Sequence, residues 1–188
     1  MTFRRGRVDI RTRRGRGRTL PATAPKTIAS SGARGSRPMN LSGKRETAVP
    51  ARPKLNARAV LDLMDALLAA TAIHERTRGT HCSALADARA RGILAAREDI
   101  GRHNTIDMLC GWALLEGVDL ADKILLTTGR VSSEIVSKAW RMGVPVIISH
   151  SAATSRAVMM AESLGIVVVG YVRGGSFTVY AGSEAIKA

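Results

Sequence analysis

Residues 123–172, KILLTTGRVSSEIVSKAWRMGVPVIISHSAATSRAVMMAESLGIVVVGYV, alternate short apolar runs with stretches of helical period. The runs at 123–128 (KILLTT), 144–149 (VPVIIS) and 166–172 (IVVVGYV) are apolar throughout rather than at every second residue. That pattern marks strands covered on both faces. Between them, residues 132–142 put Ile135, Val136, Ala139 and Trp140 on one helical face, and residues 154–164 form a second helix. Strands joined through such helices run parallel, with right-handed crossovers. On the C-terminal side, Gly174 and Gly175 turn the chain into a last strand at 176–180. On the N-terminal side, Ile106, Leu109, Cys110 and Ala113 mark an inward helix stripe, and Cys110 is expected to be an inert core residue. Residues 80–86 and 92–97 read as a hairpin, and Asn56 caps a helix whose Val60, Leu63, Met64, Leu67 and Leu68 face inward. The expected class is α/β: a three-layer sandwich with a mixed sheet, antiparallel at its flanks.

The 188 residues carry a net charge of +14, unevenly spread. Residues 1–50 hold 13 Lys/Arg against 2 acids, and the remainder is close to neutral. The first 52 residues show no period and little to bury, so they are expected to form a disordered tail ahead of a domain at 53–188. Three readings of the tail stay open: a nucleic-acid arm, an organellar presequence, or GC-rich coding DNA read in a wrong frame. The near-neutral domain and the scarcity of aromatics weigh against nucleic acid. Two cysteines, Cys82 and Cys110, do not make a disulfide scaffold, and no apolar run reaches the length of a membrane helix. A soluble protein of a reducing compartment is expected.

Polar clusters fall where the parallel strands end, the place where ligands gather in such sheets. Residues 127–134 (TTGRVSSE) form a strand-to-helix turn in which Ser132 and Ser133 can cap and Arg130 suits an anion. Residues 149–154 (SHSAAT) form a second such turn. The third cluster is Tyr171, Val172, Arg173, Gly174, Gly175 and Ser176, where two glycines permit close backbone approach. The fourth, residues 97–104 (REDIGRHN), gathers acids, Arg102 and His103 densely enough to form an ion network, with Asp99 and His103 as a possible acid/base pair. The first two turns also read as plain helix capping, and the third as a plain hairpin turn. Zinc spacings are absent, and adjacent His81 and Cys82 on a strand face opposite ways. Cys82 is either a small core residue or a reactive thiol of lowered pKa.

In this order the clusters resemble the formate dehydrogenase accessory sulfurtransferase family, FdhD, over residues 57 to about 181. The matching pieces are His81 with Ala84, residues 97–104 with Asp107, residues 129–136 with Lys138, residues 151–154, and residues 170–173 leading to Val179 and Tyr180. The resemblance implies a core similar to cytidine deaminases but without zinc, and a cytoplasmic homodimer. It implies sulfur taken from a cysteine desulfurase as a cysteine persulfide. That sulfur would pass to Mo-bis(molybdopterin guanine dinucleotide), bound as substrate, for formate dehydrogenase. It also implies cofactor binding at Tyr171, Val172, Arg173, Gly174, Gly175 and Ser176, with Arg102, His103, Arg130, Ser132 and Ser133 as secondary candidates. The family's Cys-x-x-Cys loop has no counterpart ahead of Asn56, where no cysteine stands; residues 30–35 read SSGARG instead. Impaired sulfur transfer is therefore expected, with Cys82 the remaining candidate carrier. The alternative is a cofactor-binding or dimerising module without chemistry.

Overall fold

The computed structural model describes residues 53–88 and 92–187, together with the backbone of residues 2–4 and 7–9. The chain divides into two compact units, Met1–Lys44 and Arg45–Ala188. In the first, β1 (Thr2–Arg4) pairs antiparallel with β2 (Arg7–Asp9). The expectation of disorder for the rest of the first 52 residues lies outside the described residues.

The second unit begins with β3 (Leu55–Asn56) and α1 (Ala57–Ala69). The Asn56 side chain accepts the Ala59 N–H at 2.7 Å, so the helix starts at the cap its sequence supplies. A short helix, α2 (Ala72–Thr77), follows. β4 (His81–Asp87) and β5 (Ile93–Asp99) form the antiparallel hairpin, and α3 (Arg102–Glu116) leads on to β6 (Lys123–Thr127). Then come α4 (Ser133–Met142), β7 (Val146–Ser149), α5 (Ser155–Leu164), β8 (Val167–Arg173) and β9 (Ser176–Ala181). A 3-10 turn at Ser183–Ala185 ends in β10 (Ile186–Lys187), which lies parallel to β3.

The central sheet has the order β5-β4-β6-β7-β8-β9. The neighbours β6–β7 and β7–β8 pair parallel, whereas β5–β4, β4–β6 and β8–β9 pair antiparallel. One face packs Leu85, Leu125, Ile147 and Val168 under α3, α4 and α5; the other packs Ala84, Leu126, Ile148 and Val169 under α1. The result is the expected three-layer α/β sandwich with a mixed sheet.

Three local expectations change. Cys110 is exposed, not in the core. The stripe Ile106, Leu109 and Ala113 is buried, but α3 is apolar around most of its circumference. Spacing alone therefore admits more than one inward face, and the helix presents Met108, Leu114 and Leu115 to solvent. Leu68 is 36% exposed, at the margin of α1. Ser132 occupies the position ahead of α4 but makes no capping hydrogen bond, whereas Thr154 does cap α5.

Candidate functional site

Because β6, β7 and β8 are parallel, their carboxyl ends open on one edge of the sheet, and two groups of side chains collect there. The first lies at the β8–β9 turn. Gly174 and Gly175 both adopt positive φ, 59° and 75°, which a residue with a Cβ would resist. Tyr171 also sits at positive φ, 52°, held by its N–H donating to the Ser151 carbonyl at 3.1 Å. The Arg173 guanidinium stacks 4.8 Å from the centre of the Tyr171 ring, and the Ser176 hydroxyl donates to the Arg173 carbonyl at 3.2 Å. Val172 points into the core at 1% exposure and supplies apolar wall. The turn closes one side of a pocket of about 300 Å³ whose other side is α1, through Arg58, Leu61, Met64, Asp65 and Leu68, with His150 from the end of β7. Arg173, His150 and Arg58, whose Nε also donates to Asp62 at 2.8 Å, stand with Asp65 around apolar patches of Leu61 and Leu68, a mixed lining that suits a ligand combining an anionic group with a ring. The sequence reading placed the turn here but missed Arg58 and Asp65. Both stand more than a hundred positions from it, and no local pattern signals them.

The second group surrounds the start of α3, on the opposite face. The dense run at 97–104 is not one ion network. Glu98 accepts the N–H groups of Ile73 and His74, both at 2.8 Å, and the Thr80 hydroxyl at 3.1 Å. Burial pushes its pKa up, but those donors outweigh it and hold the carboxyl below the usual range. Asp99 accepts the Gly101 N–H at 2.7 Å and the Asn104 amide at 2.9 Å, which likewise favour its charged form. The expected Asp99–His103 pair does not form. His103 Nε2 instead lies 3.1 Å from Glu134 and 3.4 Å from the Ser132 hydroxyl. Both of those contacts meet the same ring nitrogen, so no relay through the imidazole is built. Burial first, and then the Arg102 charge, hold His103 below the ordinary imidazole value. Arg130 is exposed and Ser133 half-buried in the loop that opens α4.

The two thiols divide sharply. Cys82 is 0% exposed, and burial together with the nearby Glu98 carboxylate pushes its pKa to about 11. That is the reverse of the lowered pKa a carrier thiolate needs, and the Cys82 side chain packs in the core on the α1 side of the sheet. Among the described residues Cys110 is the exposed thiol. No group of three or more His, Cys, Asp or Glu there could hold a metal ion, and no helix is long and apolar enough to cross a membrane.

The family model described as FdhD/NarQ matches residues 1–187. A sulfur carrier protein FdhD from Bacillus subtilis is 42% identical over 134 residues, covering 71% of this chain and 50% of that protein. A sulfur carrier protein FdhD from Halalkalibacterium halodurans is 44% identical over 124 residues, 66% of this chain and 45% of that one. Among solved structures, one from Desulfotalea psychrophila, provisionally assigned as a formate dehydrogenase accessory protein, superposes with a TM-score of 0.68 at 27% identity. It covers 76% of this chain and 60% of its own. The chain thus spans about half the length of the curated relatives it matches.

Proposed function

Because the chain belongs to the FdhD/NarQ family, we propose that it serves formate dehydrogenase maturation as the cofactor-holding part of a sulfur carrier. The observation that carries this reading is the pocket between α1 and the β8–β9 turn, where Arg58, Arg173 and His150 stand beside Leu61 and Leu68. The substrate held there is Mo-bis(molybdopterin guanine dinucleotide). Its phosphates suit the arginines and the open backbone at Gly174 and Gly175, and its ring systems suit Leu61, Met64 and Leu68. A cysteine desulfurase and formate dehydrogenase are the partners on either side of the transfer, in the cytoplasm.

The buried, high-pKa Cys82 favours the second reading for the described residues: binding without sulfur transfer by that thiol. Homodimerisation belongs to the same proposal. Met108, Gly111, Leu114 and Leu115 give α3 an exposed apolar surface, with Leu114 at 82% and Leu115 at 86% exposure, in which the acid Asp107 is neutralised by Lys138. A neutral apolar face complements a second copy of itself better than it does a charged partner.

Calorimetry with a guanine nucleotide tests the pocket. A charge-assisted hydrogen bond contributes about 1.5–3 kcal/mol, so Arg173→Ala and Arg58→Ala should each weaken binding by roughly tenfold or more. Unchanged affinity in both variants would remove the site. Persulfide labelling after incubation with a desulfurase tests the chemistry, and a label on Cys82 would refute the reading of that residue.

A further inference from the structure

The pocket between α1 and the β8–β9 turn holds a carboxylate with no partner among the described residues. On α1 the lining residues Arg58, Leu61, Asp65 and Leu68 recur at spacings of three and four, so they form one stripe, with Met64 buried beside them. Asp65 stands one helical turn from Leu61 on one side and from Leu68 on the other. The neighbouring acid is taken, because Asp62 accepts Arg58 Nε at 2.8 Å. Asp65 is exposed, lines the pocket, and makes no hydrogen bond or ion pair with any described residue. An acid is out of place in a pocket that serves phosphates alone. Arg173 and the open backbone at Gly174 and Gly175 suit the anionic end of a ligand, which a carboxylate would repel. Asp65 becomes favourable only where the ligand turns hydrogen-bond donors toward α1.

We infer that Asp65 reads the base of the bound nucleotide and selects guanine, an inference that rests on the nucleotide-holding reading of this pocket. An ionised carboxylate only accepts hydrogen bonds, through two oxygens side by side. Guanine presents two adjacent donors on one edge, N1–H and the 2-amino group, and the pair meets a carboxylate in the two-pronged way a guanidinium does. Adenine turns the N1 lone pair to the same place and is repelled. Hypoxanthine keeps N1–H but lacks the amino group. The ring itself rests on Leu61 or Leu68, whose Cβ atoms stand about 5–6 Å from that of Asp65 at ordinary helical spacing. Anion binding thus falls to the turn, and choice of base to α1.

Guanosine, inosine and adenosine diphosphates are the probes, titrated by calorimetry into the full chain at about 0.15 M salt. All three carry the same diphosphate, so the pull of the net charge of +14 cancels between them. Guanosine diphosphate should bind about tenfold tighter than inosine diphosphate, the contribution of one charge-assisted hydrogen bond, and roughly a hundredfold tighter than adenosine diphosphate. Asp65→Asn separates base reading from plain charge. It removes a negative charge, so if Asp65 were merely solvated all three nucleotides would bind equally well or more tightly. With Asp65 reading the base, the new amide NH₂ faces a donor of guanine, whereas the amide pairs with N1 and the 6-amino group of adenine. Guanosine diphosphate should therefore weaken about tenfold and adenosine diphosphate should tighten, at an unaltered melting temperature. Equal affinity for the three nucleotides in the parent, as when the acid meets only ribose hydroxyls, would overturn the assignment and leave the pocket in place wherever Arg173→Ala still weakens them. Tighter guanosine diphosphate binding in Asp65→Asn would overturn it too. Absence of saturable binding by all three, or binding indifferent to Arg173→Ala, would instead remove the pocket reading and the assignment with it.

Discussion

Gly170→Ala tests the link between the sheet and the turn pocket. Gly170 lies in β8 one residue before Tyr171. A Cβ there would stand 2.7 Å from the Ser151 carbonyl oxygen and 2.8 Å from Tyr180 Cε2. The carbonyl has little freedom to withdraw. It accepts the Tyr171 N–H, while the Ser151 N–H donates to the Ser149 hydroxyl at 2.9 Å and the Ser151 hydroxyl donates to the Thr128 carbonyl at 2.8 Å. Overpacking of this kind costs about 1–3 kcal/mol, and loss of the Tyr171 hydrogen bond about 1 more. Relief of glycine's extra unfolded-state entropy returns up to about 1 kcal/mol. Overlap wins, leaving a net destabilisation of about 2 kcal/mol, or roughly 8 °C in melting temperature for a domain of this size. Tyr171 is held at positive φ by that hydrogen bond, so nucleotide affinity at the pocket should fall along with stability. Gly111→Ala is the control. Its Cβ would meet nothing within 4 Å, inside α3, and it should stabilise by up to about 1 kcal/mol. The measurements are thermal unfolding and calorimetric titration of both variants. A Gly170→Ala melting temperature within about 2 °C of the parent would show that the Ser151 loop yields and that the pocket wall is not fixed as argued.

The two cysteines should separate on alkylation of the native protein near pH 8: Cys110 reacts, while Cys82, with roughly one thiol in a thousand ionised at a pKa of about 11 and no exposed surface, reacts only on unfolding. Peptide mass mapping reads this, and native modification of Cys82 would refute the burial argument. Glu98 has its folded-state pKa lowered, so its stabilising contribution is present above the unfolded value of about 4.3 and is lost as pH falls through the folded value. The stability difference between the parent and Glu98→Gln should therefore be largest near pH 6–7 and shrink below about pH 4, as followed by denaturant titration across pH. Leu115→Glu on α3 should shift the proposed homodimer toward monomer in sedimentation with little change in melting temperature, since the side chain is 86% exposed; a parent that sediments as a monomer, or a dimer that the variant leaves unchanged, would refute the α3 interface.

The parallel centre of the sheet was legible in the sequence because β6, β7 and β8 are apolar on both faces, and strands of that kind, with helices between them, have few arrangements open to them. The caps at Asn56 and Thr154 were legible for an equally local reason. α2 was not. Its six residues have no buried side chain, and the N–H groups at its start are met by Glu98, more than twenty positions away. The α1 wall of the turn pocket was hidden for the same reason of distance in sequence. Cys110 was misplaced because the periodicity of α3 has more than one solution when so much of the helix is apolar, and only its packing on β4 and β5 selects among them.

The run at 97–104 is different, because the signal that resolves it was present. Residues 98 and 99 are consecutive at the end of a strand, so their side chains leave on opposite faces. Register then pairs Glu98 with Cys82 on the α1 side and Asp99 with His81 on the α3 side. Each carboxylate finds backbone donors on its own side, and neither is left to neutralise Arg102. The alternation that sends His81 and Cys82 apart thus also separates the two acids. A density of charge that reads in one dimension as a self-satisfied network becomes, once folded, two anchored acids and an arginine whose buried nitrogen has no acid of its own.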